Sequence, residues 1–181
     1  MKKFLLILNG PMCTGKSTIT KLFLQKENVF RASSDRIKWL ISNYSADNQY
    51  HRTIAKKIAF STIESAMDCG LSVVVDGGLG EYKDKYKELA SKYNFVYVSI
   101  NIEAPLEVLE KRFLERVESA KRDESKTISV TTLDGFQSRY NWYLEQNRDN
   151  EAITFDSSTL TAEEIVLSIE KLINSQEGLL K

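Results

Sequence analysis

The octapeptide Gly10-Pro11-Met12-Cys13-Thr14-Gly15-Lys16-Ser17 has the residue types and spacing needed to hold a string of phosphates. It matches the pattern G-x-x-x-x-G-K-[ST] at every fixed position. Gly10 and Gly15 let the main chain curl so that successive N–H groups converge on phosphate oxygens, where side chains would obstruct them. Lys16 brings a point charge to the β- and γ-phosphates, and the Ser17 hydroxyl suits a Mg²⁺ ion. Met12, Cys13, Thr14 and Thr18 complete the expected nucleotide-contacting run. Cys13 reads as a small filler at a free loop position, with a low-pKa thiol as the alternative.

Three further groups fit phosphoryl transfer. Asp35 follows a short apolar run and can accept the proton of an attacking hydroxyl; it equally suits capping a helix that begins at Arg36. Lys38, one turn further on, can hold an acidic group of the acceptor. Val73-Val74-Val75-Asp76 is an apolar strand ending in a carboxylate, the form taken by a second Mg²⁺-binding element, with Gly77 leaving room beside a ligand. The competing reading of Asp76-Gly77 is a plain strand-end turn. Arg112 and Arg116 share a helix face, and Arg122 lies beyond them. Such arginines can stabilise charge on a phosphoryl group in flight, or pair with Glu110, Glu115 and Glu118 as a solvated surface.

These groups need a scaffold that brings strand ends together. Five apolar runs, at 4–8, 29–32, 72–75, 95–100 and 152–155, read as strands. Segments 16–27, 50–69, 81–93, the stretch opening at Pro105, and 161–172 read as helices between them. Thr161 and Glu164 form a capping box for the last. Strands alternating with helices imply one three-layer α/β/α domain over 1–181, with a parallel sheet and right-handed crossovers. From 118 to 129 only Ala120 and Ile128 are apolar, so an insertion at about 112–130 is expected to form a solvated lid.

Composition narrows the partners. Lysine plus arginine equal aspartate plus glutamate at 25 each, a balance that disfavours a long nucleic acid, whose phosphates demand a basic surplus. Two cysteines make no disulfide framework and fit a reducing compartment. The apolar run after Lys2 and Lys3 is too short for a signal or membrane segment, so a cytoplasmic location is expected. The lone His51 reads as a surface residue.

The order of these pieces resembles the small P-loop kinases of the AAA-type superfamily: Gly10–Ser17, then Ser34-Asp35-x-Ile37-Lys38, then Val73–Asp76, then Ala104-Pro105-Leu106-Glu107-Val108-Leu109-x-x-Arg112-x-x-x-Arg116, then Phe155-Asp156-Ser157-Ser158. That group includes polynucleotide 5′-hydroxyl kinase, chloramphenicol phosphotransferase, gluconate kinase and the zeta toxins. The resemblance implies a P-loop NTPase fold with strand order 2-3-1-4-5, ATP with Mg²⁺ as cofactors, and Asp35 as the base. It implies Arg112 near the adenine, Arg116 on the phosphates, and the pieces after Phe155 beside the purine. Where many relatives carry arginine, Lys38 offers one point charge in place of a two-pronged grip.

The expected activity is transfer of the ATP γ-phosphate to a hydroxyl of a small metabolite, antibiotic, nucleoside or nucleic-acid end. Its rival is an ATPase or nucleotide-dependent switch with no small acceptor. No Asn/Thr-Lys-x-Asp element is present, which favours ATP over GTP.

Overall fold

A computed structural model describes residues 1–45, 48–77, 82–122 and 130–175. Five strands, β1 (Phe4–Asn9), β2 (Val29–Ala32), β3 (Ser72–Asp76), β4 (Val96–Glu103) and β5 (Ile153–Asp156), form one sheet in the order β2-β3-β1-β4-β5. Every pairing is parallel. This is the expected P-loop NTPase arrangement. β1 is buried along its whole length, as a central strand covered on both faces must be.

Alternate side chains of β1 feed two cores. Phe4, Leu6 and Leu8 pack with Ile19 and Phe23 of α1 (Lys16–Phe23) and with Ile165, Ile169 and Ile173 of α7 (Ala162–Ser175). Leu5 and Ile7 pack with Ile63 and Met67 of α3 (Gln49–Asp68) and with Tyr86 and Leu89 of α4 (Lys83–Lys92). Between β2 and α3 lies the short α2 (Ser34–Lys38). A third cluster joins Leu109, Phe113 and Val117 of α5 (Leu106–Lys121) to Phe136 of α6 (Leu133–Trp142). Met12 and Cys13 pack against that cluster.

Several boundaries differ from expectation for local reasons. α1 ends at Phe23, not 27, because the chain tightens through Leu22 and Phe23 carbonyls and then turns at Asn28, whose φ is 59°. α2 begins at Ser34 with Ser33 at its N-cap, so Asp35 sits in the first turn and does not cap. α5 carries the chain helically to Lys121, closed by the Lys121–Glu118 pair at 2.8 Å. The rest of the expected lid, 123–129, lies outside the described residues, as does Gly78 beside Gly77. α6 and the π-helical turn that follows it (Tyr143–Asn147) were not anticipated. His51 is half-buried rather than a plain surface residue: its Nδ1 accepts the Ser45 N–H at 3.0 Å. Among the described residues no helix is long and apolar enough to cross a membrane.

Candidate active site

The loop from Gly10 to Gly15 leaves β1 and turns into α1 at the carboxyl end of the sheet, where an open α/β fold presents its ligand crevice. Gly10 has φ 143°, and a Cβ there would lie 2.1 Å from the Ile102 carbonyl oxygen, so the loop fits against β4 only without a side chain. Cys13 takes φ 67° and Gly15 φ 92°, both in the left-handed region that folds the amides inward. Gly15 is the N-cap of α1, and no side chain caps that end. First-turn amides and the positive end of the helix dipole therefore point into the loop, a ready anion site.

Lys16 turns its ammonium into the same space. Nζ donates to the carbonyls of Gly10 (2.8 Å) and Pro11 (2.6 Å) and, more weakly, to Thr14 Oγ1 (3.4 Å). Buried Thr14 secures the curl by donating its hydroxyl to the Pro11 carbonyl at 3.1 Å. Burial pushes the Lys16 ammonium down to about 8; the charges of Asp76 and Asp35 resist this, and Arg116 adds to it. Three groups singled out in the sequence, Asp76, Asp35 and Arg116, thus act electrostatically on one ammonium.

Asp76 closes the other side. Its Oδ2 accepts the Ser17 hydroxyl at 3.2 Å and also meets the guanidinium of Arg31. Gly77, with φ 101°, donates its N–H to the Leu8 carbonyl at 3.2 Å and leaves the space beside it open. Ser17 and Asp76 supply adjacent hard oxygen donors from α1 and β3, which suits Mg²⁺, an ion that takes few protein ligands and keeps water and phosphate. Among the described residues no group of three or more His, Cys, Asp or Glu gathers to hold a metal.

Asp35 is exposed on α2, with the Lys38 ammonium against its carboxylate. Lys38 is therefore engaged by the candidate base and must share it to reach an acceptor. On the opposite side Arg112 donates to Ser157 through Nη1–Oγ (3.0 Å) and Nη2–O (2.7 Å), and reaches the Cys13 carbonyl at 3.5 Å. A cavity of about 250 Å³ opens there, lined by Thr14, Gly15, Thr18, Arg112, Ser157 and Leu160 among others. Arg116 is exposed one turn along α5. Arg122 lies at the far end of that helix, exposed and near Glu118, and is not brought to the loop. Two of the three carboxylates named as alternative partners accept from other side chains, Glu110 from Gln137 and Glu118 from Lys121.

Arg31 was missed. The signal available in the sequence was a single arginine inside the otherwise apolar run 29–32.

The AAA domain family model matches residues 5–141. No curated protein matches the chain. Among solved structures, the APS kinase CysC of Mycobacterium tuberculosis, in complex with AMPPNP and APS, is 14% identical with a TM-score of 0.63 over 96% of this chain and 99% of that one. A sugar kinase from Janibacter is 14% identical, with a TM-score of 0.61 over 95% of each chain. The tunicamycin resistance protein of Deinococcus radiodurans is 15% identical, with a TM-score of 0.59 over 96% of this chain and 98% of that one. At such identities the likeness speaks for the fold, while the family match spans most of the chain and contains the phosphate loop. The chain belongs to the AAA domain family, on a fold that it shares with P-loop kinases.

Proposed function

We propose that this protein is an ATP-dependent phosphotransferase that moves the γ-phosphoryl group to a hydroxyl of a small acceptor: a metabolite, antibiotic, nucleoside or nucleic-acid end. The observation that carries the reading is Lys16, whose ammonium turns into a curled loop at an uncapped helix N-terminus and feels the charges of Asp76, Asp35 and Arg116.

In this reading the amides of residues 10–15 and the Lys16 ammonium hold the β- and γ-phosphates, exchanging loop carbonyls for phosphate oxygens. The cavity between Thr18, Arg112 and Ser157 takes the base, with the Arg112 guanidinium fixed by two bonds to Ser157. Ser17 and Asp76 would hold Mg²⁺, which when bound neutralises charge on the phosphates. Asp35 accepts the proton of the attacking hydroxyl, and Lys38 steadies that carboxylate. Arg116 meets the charge that spreads over the transferring group. Catalysis then comes from positioning and fixed charge, with no covalent intermediate required. Solvent-exposed Asp35 leaves the acceptor free to approach from the α2 side.

The test is a screen with γ-labelled ATP over sugars, nucleosides, aminoglycosides, phenicols and 5′-hydroxyl oligonucleotides. Transfer of label to one class is expected, and Lys16→Ala should abolish it in protein with unchanged circular dichroism. Release of label to water alone, unaffected by any acceptor, would instead favour the ATPase or switch reading.

A further inference from the structure

β2 contains one charged residue, and it is not at the surface. Arg31 pairs in register with Val74 of β3, so it lies on the same sheet face as Asp76, two residues further along that strand. From there its side chain reaches the end of the sheet and sets its guanidinium against Asp76 Oδ2, the oxygen that also accepts the Ser17 hydroxyl. The Arg31 side chain is 14% exposed and that of Asp76 8%. Arg31 Nε is buried with no hydrogen-bond partner, so the side chain gives up one good bond to hold this position.

An arginine cannot shed its proton, so the positive charge is permanent. A divalent cation approaching Ser17 and Asp76 meets a carboxylate already paired and a guanidinium beside it. The charge that should attract the ion is cancelled at the oxygen it would use. A triphosphate changes that balance, because it brings several negative charges of its own to the loop beside Asp76.

We propose that Arg31 controls when the metal binds: it occupies Asp76 so that the free protein has no standing divalent site, and the cation enters only together with the triphosphate. The proposal rests on the reading of Ser17 and Asp76 as the metal-binding pair. It makes Arg31 a positioning residue for that pair, acting through Asp76 and not touching the phosphates.

The experiment titrates Mn²⁺ into the full chain without nucleotide and follows free Mn²⁺ by electron paramagnetic resonance. Wild type and Asp76→Asn should bind equally weakly, within about twofold. Arg31→Gln should bind Mn²⁺ about tenfold tighter or more, because it removes a like charge a few ångströms away. Adding Asp76→Asn to that variant should remove the gain. Equal or weaker binding by Arg31→Gln, or loss of an existing tight site in Asp76→Asn alone, would overturn the proposal. The second criterion stands even if Arg31→Gln does not fold. A parallel titration with ATP present separates the two readings. If wild type fails to take up Mn²⁺ with ATP, the triphosphate reading falls, whereas uptake with ATP and no effect of Arg31→Gln without it refutes the role of Arg31 alone.

Discussion

In the free protein the Lys16 ammonium is held by carbonyl dipoles of its own loop, a weaker environment than the water it has left. That is why burial lowers it to about 8, and the depression has a consequence for binding. Below that pH the group is charged and ready for phosphate; above it the free protein carries an amine, and association must take up a proton. Affinity for Mg·ATP should therefore fall as pH rises from about 8 towards 10, approaching about tenfold per pH unit. Calorimetry at pH 9 in buffers of different ionisation enthalpy should register uptake of nearly one proton. Affinity that stays flat across this range would show that the ammonium is not lowered in the free protein or does not meet the phosphates. Asp35 is judged differently, because it acts on the acceptor. Asp35→Asn should lower transfer by roughly 10²–10⁴-fold while nucleotide affinity is kept, as befits a base. Collapse of ATP binding in that variant would make Asp35 structural. Lys16, Ser17, Asp35 and Asp76 were legible because each follows or ends an element whose type is written in its immediate neighbours. Arg31 was not, since its partner lies 45 residues away and becomes a neighbour only through strand pairing.

At the scale of elements, the phosphate loop is shaped as much by what it packs against as by its own glycines. The two glycines of the motif look equivalent in sequence and are not equivalent in the fold. A Cβ at Gly10 would press on the main chain of β4 at Ile102, which cannot move aside without disturbing its pairing with Phe155 of β5. A Cβ at Gly15 would meet nothing within 4 Å and would incur only the strain of φ 92°, about 1–2 kcal/mol. Gly10→Ala should thus lower the melting temperature more than Gly15→Ala, and thermal unfolding of both variants checks the order. A reversed order would mean that the loop is not seated on Ile102. The seat itself was only half legible. Strands and the long helices announced themselves through β-branched runs and repeating apolar residues. α6 did not, because only Phe136 of its ten residues is buried, too few to impose a period, and it gains its place by stacking on Phe113 at 4.8 Å. The support that α5 and α6 give to Met12 and Cys13 was hidden for the same reason.

Over the whole molecule, the sheet carries a polar thread through its interior. Asn9 at the end of β1 donates to Ser99 Oγ (3.1 Å), Ser99 donates to Asp149 Oδ2 (2.7 Å), and Lys83 at the start of α4 donates to Asp149 Oδ1 (2.5 Å). Asn101 Nδ2 donates to the Asp149 carbonyl at 2.8 Å. One buried carboxylate so ties the strand that precedes the phosphate loop to β4, to the turn before β5 and to α4. Burial alone would raise Asp149, but the hydrogen bonds from Lys83 and Ser99 and the Lys83 charge outweigh it and hold the carboxyl below its usual value of 3.8. Because the folded value is depressed, the stability it contributes is complete above pH about 4 to 5 and is lost as pH falls through the lower folded value. Asp149→Ala should cost about 1–3 kcal/mol at pH 7, since it leaves the Ser99 hydroxyl and the Glu151 N–H without their acceptor and the Lys83 ammonium with Glu151 alone. Urea unfolding at pH 7 and again near pH 3 makes the comparison. The gap between wild type and variant should narrow at the lower pH, because protonation takes from the wild type what the substitution has already taken from the variant. A gap that is small at pH 7, or that keeps its size into acid, would show that the thread is a packing detail and that the sheet holds the phosphate loop in place without it.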